Sequence, residues 1–273
     1  MFGKRFMSSV VLVLIALVTI LYGKGLLAIT LLAISLVAFY ELANACDVHK
    51  KGRKINALEG TAYGAITIYY ILMYLLKSQQ LLFMMIVLTF MALMFVYVLG
   101  FPKYTITQVM AVFFAVIYGS VMFSFIYLTR EMVMGEYIVW LVFIGSWISD
   151  TCAYLVGMSI GKHKLAPVLS PKKSIEGSIG GILGSALVGG IYGYFVSMHI
   201  GGSWQDIVIA FVVIGAVGSV ISQMGDLAAS AIKRQHDLKD YGNLIPGHGG
   251  IMDRFDSVIV TSPMIYFLAV WFL

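Results

Sequence analysis

Charge is what this 273-residue sequence has least of. Asp, Glu, Lys and Arg make up 11% of it, where a soluble domain carries roughly a quarter. That scarcity argues against a soluble enzyme, a disordered chain and a nucleic-acid-binding domain. Cysteine is nearly absent as well. Cys46 and Cys152 stand alone in unrelated segments, so there is no disulfide framework and no metal-ligand spacing. What fills the chain instead is apolar: 60% hydrophobic residues and a mean hydropathy of +0.95. Repeated runs long enough to cross a bilayer predict an all-α, polytopic integral membrane protein.

About nine such runs can be placed, at 6–22, 26–42, 61–77, 81–100, 107–128, 137–160, 177–198, 204–227 and 251–273. Only Gly23-Lys24-Gly25 separates the first two, which fit two tilted spans or one re-entrant hairpin. Lys4 and Arg5 flank the first run as in a signal peptide, but no small-residue cleavage site follows, so it reads as a retained span. The 18 basic residues test the count. With a cytoplasmic N-terminus, only Lys24, Lys77 and Arg130 fall on the far side, and Arg254 sits at the mouth of the last run. The other fourteen lie in the cytoplasmic segments, a strong positive-inside bias. Orientation thus accounts for much of the net charge of +5.

The two parts of the chain differ in character. Residues 1–135 read as a scaffold of spans, with Glu41 and Glu59 at span ends, where solvation is expected. Residues 136–273 carry acids within or at the ends of spans: Asp150, Asp226, Asp253 and Asp256. A carboxylate in a membrane is costly and usually serves a function in a protein interior or a watery cavity. The topology puts all four in the cytoplasmic half, joined to the polar loops 161–176 and 228–250, and predicts one cytoplasm-facing chamber. In the 177–198 run, Gly177, Gly181, Ser185, Gly189 and Gly193 recur every four residues. They form a close-packing face that makes this helix a central element. Gly157 and Gly161 repeat the spacing.

The densest chemistry runs from Gln223 to Asp256. Asp226, Ser230 and Lys233 share one helix face, as do Asp253 and Asp256. Pro246 to Gly250 resist a helix, and Gly249-Gly250 lead into a helix start whose free N–H groups favour phosphate. Hard carboxylate oxygens suit Mg²⁺, and Lys and Arg neutralise transferring phosphoryl groups. The inventory points to metal-assisted phosphoryl or nucleotidyl transfer. His248, between glycines, could bind phosphate, act as an acid or orient a carboxylate. His49, His163, His199 and His236 lack partners at ligand spacing and are expected at the surface. Upstream, Ser170-Pro171 is expected to open a turn before Lys172 and Lys173. Ser174 and Glu176 fit either helix capping or a place beside a lysine clamp on phosphate.

These residues carry a resemblance. Ser230, Lys233, Arg234, Lys239, Asp240, Gly242, Ile245, Pro246, His248, Gly249, Gly250, Ile251, Asp253, Arg254, Phe255 and Asp256 match without a gap the C-terminal signature of the phosphatidate cytidylyltransferase, or CDP-diacylglycerol synthase, family. Gln223 to Leu227 and Ser170 to Gly177 also resemble family elements, so the strong likeness covers about 150–273. The resemblance implies transfer of CMP from CTP to phosphatidic acid, with release of pyrophosphate, in phospholipid biosynthesis at the inner membrane. It implies Mg²⁺ on Asp226 and Asp253, with Asp256 as a third ligand or support and Asp150 as a further one. Lys233, Arg234, Lys239 and Arg254 would contact phosphates, and Asp240 and His248 would orient the site. Lys172, Lys173, Ser174, Glu176, Ser230, Gly249 and Gly250 would bind substrate.

Membrane lipids are expected neighbours and nucleic acid is not. The sequence leaves open a homodimer, and no residue identifies a second, monovalent cation. Two rival classes fit less well. The spaced Asp-rich pattern of CDP-alcohol phosphotransferases is not found. An ion-coupled transporter would be expected to show similar halves with polar groups near the midplane.

Overall fold

The computed structural model describes residues 2–48, 55–200, 203–245 and 249–273, with side chains from residue 10 onward. Among these residues each of the nine apolar runs coincides with a helical stretch. They are α1 (Phe2–Tyr22), α2 (Lys24–Ala45), α3 (Ala57–Leu76), α4 (Gln79–Leu99), α5 (Ile106–Arg130), α6 (Gly135–Ile160), α7 (Ile175–Ile200), α8 (Trp204–Gln235) and α9 (Met252–Phe272). Seven of them, α2 and α4 to α9, are long and apolar enough to cross a membrane. The described apolar part of α1, Val10–Tyr22, is shorter than a span needs. α3, which carries Tyr63, Tyr69, Tyr70 and Tyr74, falls outside the seven. The chain is a multi-pass helical membrane protein.

One non-helical element interrupts the pattern. Strands β1 (Lys164–Ala166) and β2 (Ser170–Ser174) pair antiparallel, with Lys164 opposite Ser174 and Ala166 opposite Ser170. Here the expected turn at Ser170-Pro171 is corrected. The turn is at 167–169, and Ser170-Pro171 opens the strand that follows. A proline near the start of a strand is tolerated because its missing N–H need not face the partner.

Two compact units emerge from the contacts: Met1–Tyr127 with His236–Arg254, and Leu128–Gln235 with Phe255–Leu273. In the first, α2 packs on α3 and on a π turn of α5 at Ile117–Val121. A buried polar knot holds that junction. Tyr70 donates to the Ser120 carbonyl at 3.1 Å and meets Ser35 Oγ at 2.7 Å, while Ser120 Oγ donates to the Ser35 carbonyl at 3.2 Å. α3 starts in a capping box. Asn56 Oδ1 accepts from Glu59 N at 3.0 Å, and Glu59 Oε2 accepts from Asn56 N at 2.9 Å. Glu59, expected in solvent, is therefore only 1% exposed.

The second unit is built on α7. Its buried face consists of Gly177, Gly181, Ser185, Gly189, Gly190 and Gly193. Its exposed face carries Ile179, Leu183, Leu187 and Ile191. Small residues inside and large ones outside are what lipid solvent favours, because close backbone approach replaces a water-driven core. The spacing is used throughout. A Cβ on Gly181 would come 2.9 Å from the Ser149 carbonyl on α6, and one on Gly189 2.6 Å from the Phe211 carbonyl on α8. α6 contains a second π turn, Ile144–Ile148, immediately before Ser149 and Asp150. Ser185 Oγ donates to the Ile144 carbonyl there at 3.1 Å.

Candidate active site

In the second unit, a cavity of about 340 Å³ opens where the hairpin meets α6, the start of α7 and the C-terminal half of α8. Asp150, Tyr154, Lys172, Lys173, Ser174, Gln223 and Asp226 are among the residues lining it. The close α6–α7 packing brings Asp150 to this wall. The hairpin carries Lys173 onto α8, where its ammonium pairs with Asp226. Lys172, the next residue on the strand, is exposed on the same lining. Sequence separation thus disappears at this point: the 161–176 loop and the Asp226 helix face meet.

Asp226, Ser230 and Lys233 do share a face of α8, with Ser230 Oγ 3.5 Å from Asp226 Oδ1. Asp256 is half-buried on α9, accepts from Ser257 N at 2.9 Å, and lies within electrostatic reach of Asp226, Asp150 and Lys233. Asp150 in turn feels Asp226 and Lys173, and its Oδ2 accepts from Ser257 Oγ at 3.4 Å. Asp226 and Asp256 are half-buried and Asp150 is exposed, and Lys173 and Lys233 answer only part of the charge of these three carboxylates. By donor chemistry, hard oxygens with surplus charge fit a divalent cation such as Mg²⁺. Among the described residues no group of three or more His, Cys, Asp or Glu side chains is already arranged around one point to hold a metal.

Gln223 fixes the floor of the cavity. Its Nε2 donates to the Ser178 carbonyl at 3.1 Å and to Ser219 Oγ at 3.3 Å, and its Oε1 accepts from Ser178 Oγ. Ser219 continues to Ser149 on α6 at 2.7 Å. The chain of polar contacts ties α6, α7 and α8 together beneath the charged groups. At the rim, Ser174 Oγ caps α7 by accepting from Gly177 N at 3.1 Å. Glu176 accepts from Lys162 N at 3.0 Å and from His163 N at 3.2 Å, and meets His163 Nδ1 at 2.6 Å. The capping reading of Ser174 holds, and Glu176 pins the end of α6 to the start of α7.

Arg234 and Phe255 aside, the remaining described signature residues belong to the first unit. Lys239, Asp240 and Arg254 are exposed there, as is Arg234 in the second. Asp253 is 8% exposed, and its Oδ2 accepts from Tyr241 N at 2.7 Å and Gly250 N at 3.0 Å. Gly249 has φ +84, a left-handed conformation suited to glycine, and Ile245 N closes the loop onto its carbonyl at 2.9 Å. A Cβ on Gly249 would come 2.8 Å from Asp253 Oδ2. Pro246 and His248 lie outside the described residues, as do His49, Lys50, Lys51, Arg53 and Lys54.

The clearest correction concerns Glu41. It was expected in solvent and is 3% exposed. Its carboxylate accepts from Ile251 N at 3.0 Å and Met252 N at 2.9 Å, at the start of α9. Nothing near Glu41 in sequence announces this, because its partners lie about 210 residues away. The histidines follow expectation in part. His163 and His199 are exposed, whereas His236 is half-buried with Nδ1 3.7 Å from Asp47.

Comparison with known proteins bears on this arrangement. The pattern of the Cytidylyltransferase family matches residues 3–272. The chain is 33% identical to a phosphatidate cytidylyltransferase of Bacillus subtilis over 98% of both sequences. It is 30% identical to one of Staphylococcus haemolyticus over 97% of this chain and 98% of that one. A third, from Staphylococcus epidermidis, is 40% identical over 57% of each. With a full-length match and full-length relatives, the chain belongs to the cytidylyltransferase family.

Proposed function

We propose that the chain transfers CMP from CTP to phosphatidic acid, giving CDP-diacylglycerol and pyrophosphate. The observation that carries this reading is the likeness to a phosphatidate cytidylyltransferase across 98% of both chains. The site chemistry supports it. A phosphate oxygen of phosphatidic acid attacks the α-phosphorus of CTP, and the bond from that phosphorus to the bridging oxygen breaks. Pyrophosphate leaves with the electron pair. The nucleophile is already an anion, so no strong base is needed. The work is to bring two polyanions together, align them and neutralise the leaving group.

Lys172 and Lys173 on the hairpin, with Ser174 at the α7 start, would receive phosphate oxygens in the cavity that they line. When substrate phosphates arrive, Lys173 can turn from Asp226 to them, freeing a carboxylate for a cation. Asp150, Asp226 and Asp256 would hold Mg²⁺ in the second unit, and Asp253 is a further ligand by signature position. The ion would screen the phosphates and stabilise the leaving pyrophosphate. Gln223 holds the floor rigid while these groups exchange partners. By signature position, Lys233, Arg234, Lys239 and Arg254 contact phosphates, Ser230, Gly249 and Gly250 bind substrate, and Asp240 and His248 orient the site. Glu176 supports the clamp by fixing the loop that precedes it.

The positive-inside bias supports placement in the inner membrane, with the N-terminus and the site on the cytoplasmic side. α1 and α3 would then complete nine spans, with membrane lipids around the exposed apolar faces. A homodimer is compatible with those faces. The test uses the detergent-purified full chain, CTP and phosphatidate vesicles. Pyrophosphate release that requires both Mg²⁺ and phosphatidate is the expected result. No release under those conditions overturns the reading.

A further inference from the structure

The glycines of the signature do more than leave space for a ligand. A Cβ on Gly242 would come 3.0 Å from the Glu41 carboxyl carbon, and one on Gly250 would run into both carboxylate oxygens. Both glycines therefore make room for Glu41. That carboxylate, on α2, takes two of the free N–H groups at the start of α9, Ile251 N and Met252 N. A helix start offers such donors to an anion, and here the protein supplies its own. Asp253 ties the other side of the same segment to Tyr241 and Gly250. All of these groups lie within the first unit.

We infer that Glu41 is a positioning residue: a buried clamp that fixes the Gly250–Met252 backbone against Gly242 and, through it, the attitude of Asp253 and Arg254. It touches no substrate. Charge-assisted bonds to two backbone N–H groups are strong and directional, so they set the phase at which α9 begins. A shift of that start would rotate Asp253 and Arg254 together. The role of those two residues in turnover rests on the function proposed above. The clamp itself does not.

The experiment therefore carries two readouts on the full chain in detergent. Hydrogen exchange at Ile251 and Met252 reads the clamp, and kcat and KM for CTP read its consequence. Glu41→Gln keeps the size but sets an amide N–H₂ against a backbone N–H. We expect exchange at these amides to rise and kcat to fall about tenfold or more, with KM for CTP changing less. Glu41→Ala should do more of both. Tyr70→Phe is the control, since it removes buried hydrogen bonds in the same unit far along the chain from the signature. It should lower the unfolding temperature while leaving exchange at Ile251 and Met252, and kcat, as in the wild type. Wild-type exchange in Glu41→Gln overturns the clamp. A kcat loss in Tyr70→Phe equal to that in Glu41→Gln overturns positioning in favour of general stability. A wild-type protein that releases no pyrophosphate defeats the proposed function alone, and the exchange data then decide the clamp.

Discussion

The two units use the same side chain in opposite ways. In the first, Glu41 and Asp253 are buried, and each accepts two backbone N–H groups. Their charge is answered by the fold. In the second, Asp150 and Asp226 line a cavity, and Asp256 lies within electrostatic reach of both, with Lys173 and Lys233 as counter-ions. Their charge is answered only in part. Burying a carboxylate is costly unless it is paired or hydrogen-bonded. A carboxylate held by backbone amides fixes the backbone around it, whereas a crowd of carboxylates is poised for cations. Burial follows the same division, with Glu41 and Asp253 buried, Asp226 and Asp256 half-buried and Asp150 exposed, and the identity of the donors explains it.

The largest expected effects come from exchanging carboxylate for amide in each unit. Asp226→Asn and Asp256→Asn should each lower turnover about a thousandfold, since they remove charge from the phosphate-handling cluster. Asp256→Asn should leave the unfolding temperature at or above that of the wild type, because it relieves like-charge crowding. Asp253→Asn should also abolish CTP incorporation, but at a cost in stability of about 1 kcal/mol, because a neutral amide oxygen in place of Oδ2 accepts from Tyr241 N and Gly250 N without the assistance of charge. Pyrophosphate release and thermal unfolding, measured on the same preparations, separate the two patterns. Wild-type activity in Asp253→Asn would remove it from the metal site.

How much of this was legible in sequence follows from the range of each signal. Each apolar run became a helix because hydropathy is written residue by residue. The α7 glycine stripe and the Asp226–Ser230–Lys233 face were legible because helical periodicity is local. The meeting of hairpin and α8 was half legible, since two phosphate-binding patterns imply a common ligand but no pairing of Lys173 with Asp226. Glu41 and Glu59 were misread for one reason. A glutamate at a span end looks solvated unless its partner is known. For Glu59 the partner was three residues away, in an Asn-x-x-Glu capping box that the sequence did display. For Glu41 the partner was the far end of the chain. The hairpin was missed because its strands are too short for periodicity to register.

Glycines offer a smaller but sharper contrast between the units. On α7 they are spaces already filled. Gly181→Leu would press on the Ser149 carbonyl and Ala153, and Gly189→Leu on the Phe211 carbonyl. Such overpacking costs about 1–3 kcal/mol, or prevents assembly. On α3, Gly60 and Gly64 have no neighbour within 4 Å of a built Cβ. Gly60→Ala and Gly64→Ala should therefore be neutral or stabilising by up to about 1 kcal/mol, through helix propensity. Thermal unfolding of the four variants in one detergent reads the difference. Destabilisation of the α3 pair equal to that of the α7 pair would mean that the close packing of α7 is not special.

The smallest effect is expected at the exposed edge of the second unit. His163 Nδ1 lies 2.6 Å from Glu176 Oε1, yet the histidine side chain is 75% exposed. Water competes for such a pair, and exposed ion pairs contribute little. Glu176 also holds Lys162 N and His163 N, and those backbone bonds do not need the imidazole. His163→Ala should thus leave turnover within about twofold of the wild type and the unfolding temperature unchanged, as expected for a screened surface pair. Glu176→Ala removes the backbone acceptor too, and should loosen the segment that delivers Lys172 and Lys173. The diagnostic quantity is KM for CTP, which should rise in Glu176→Ala and stay constant in His163→Ala. If both variants raised it equally, the short contact would matter more than the backbone bonds. The rule that donor identity decides a carboxylate's use would then fail at this position.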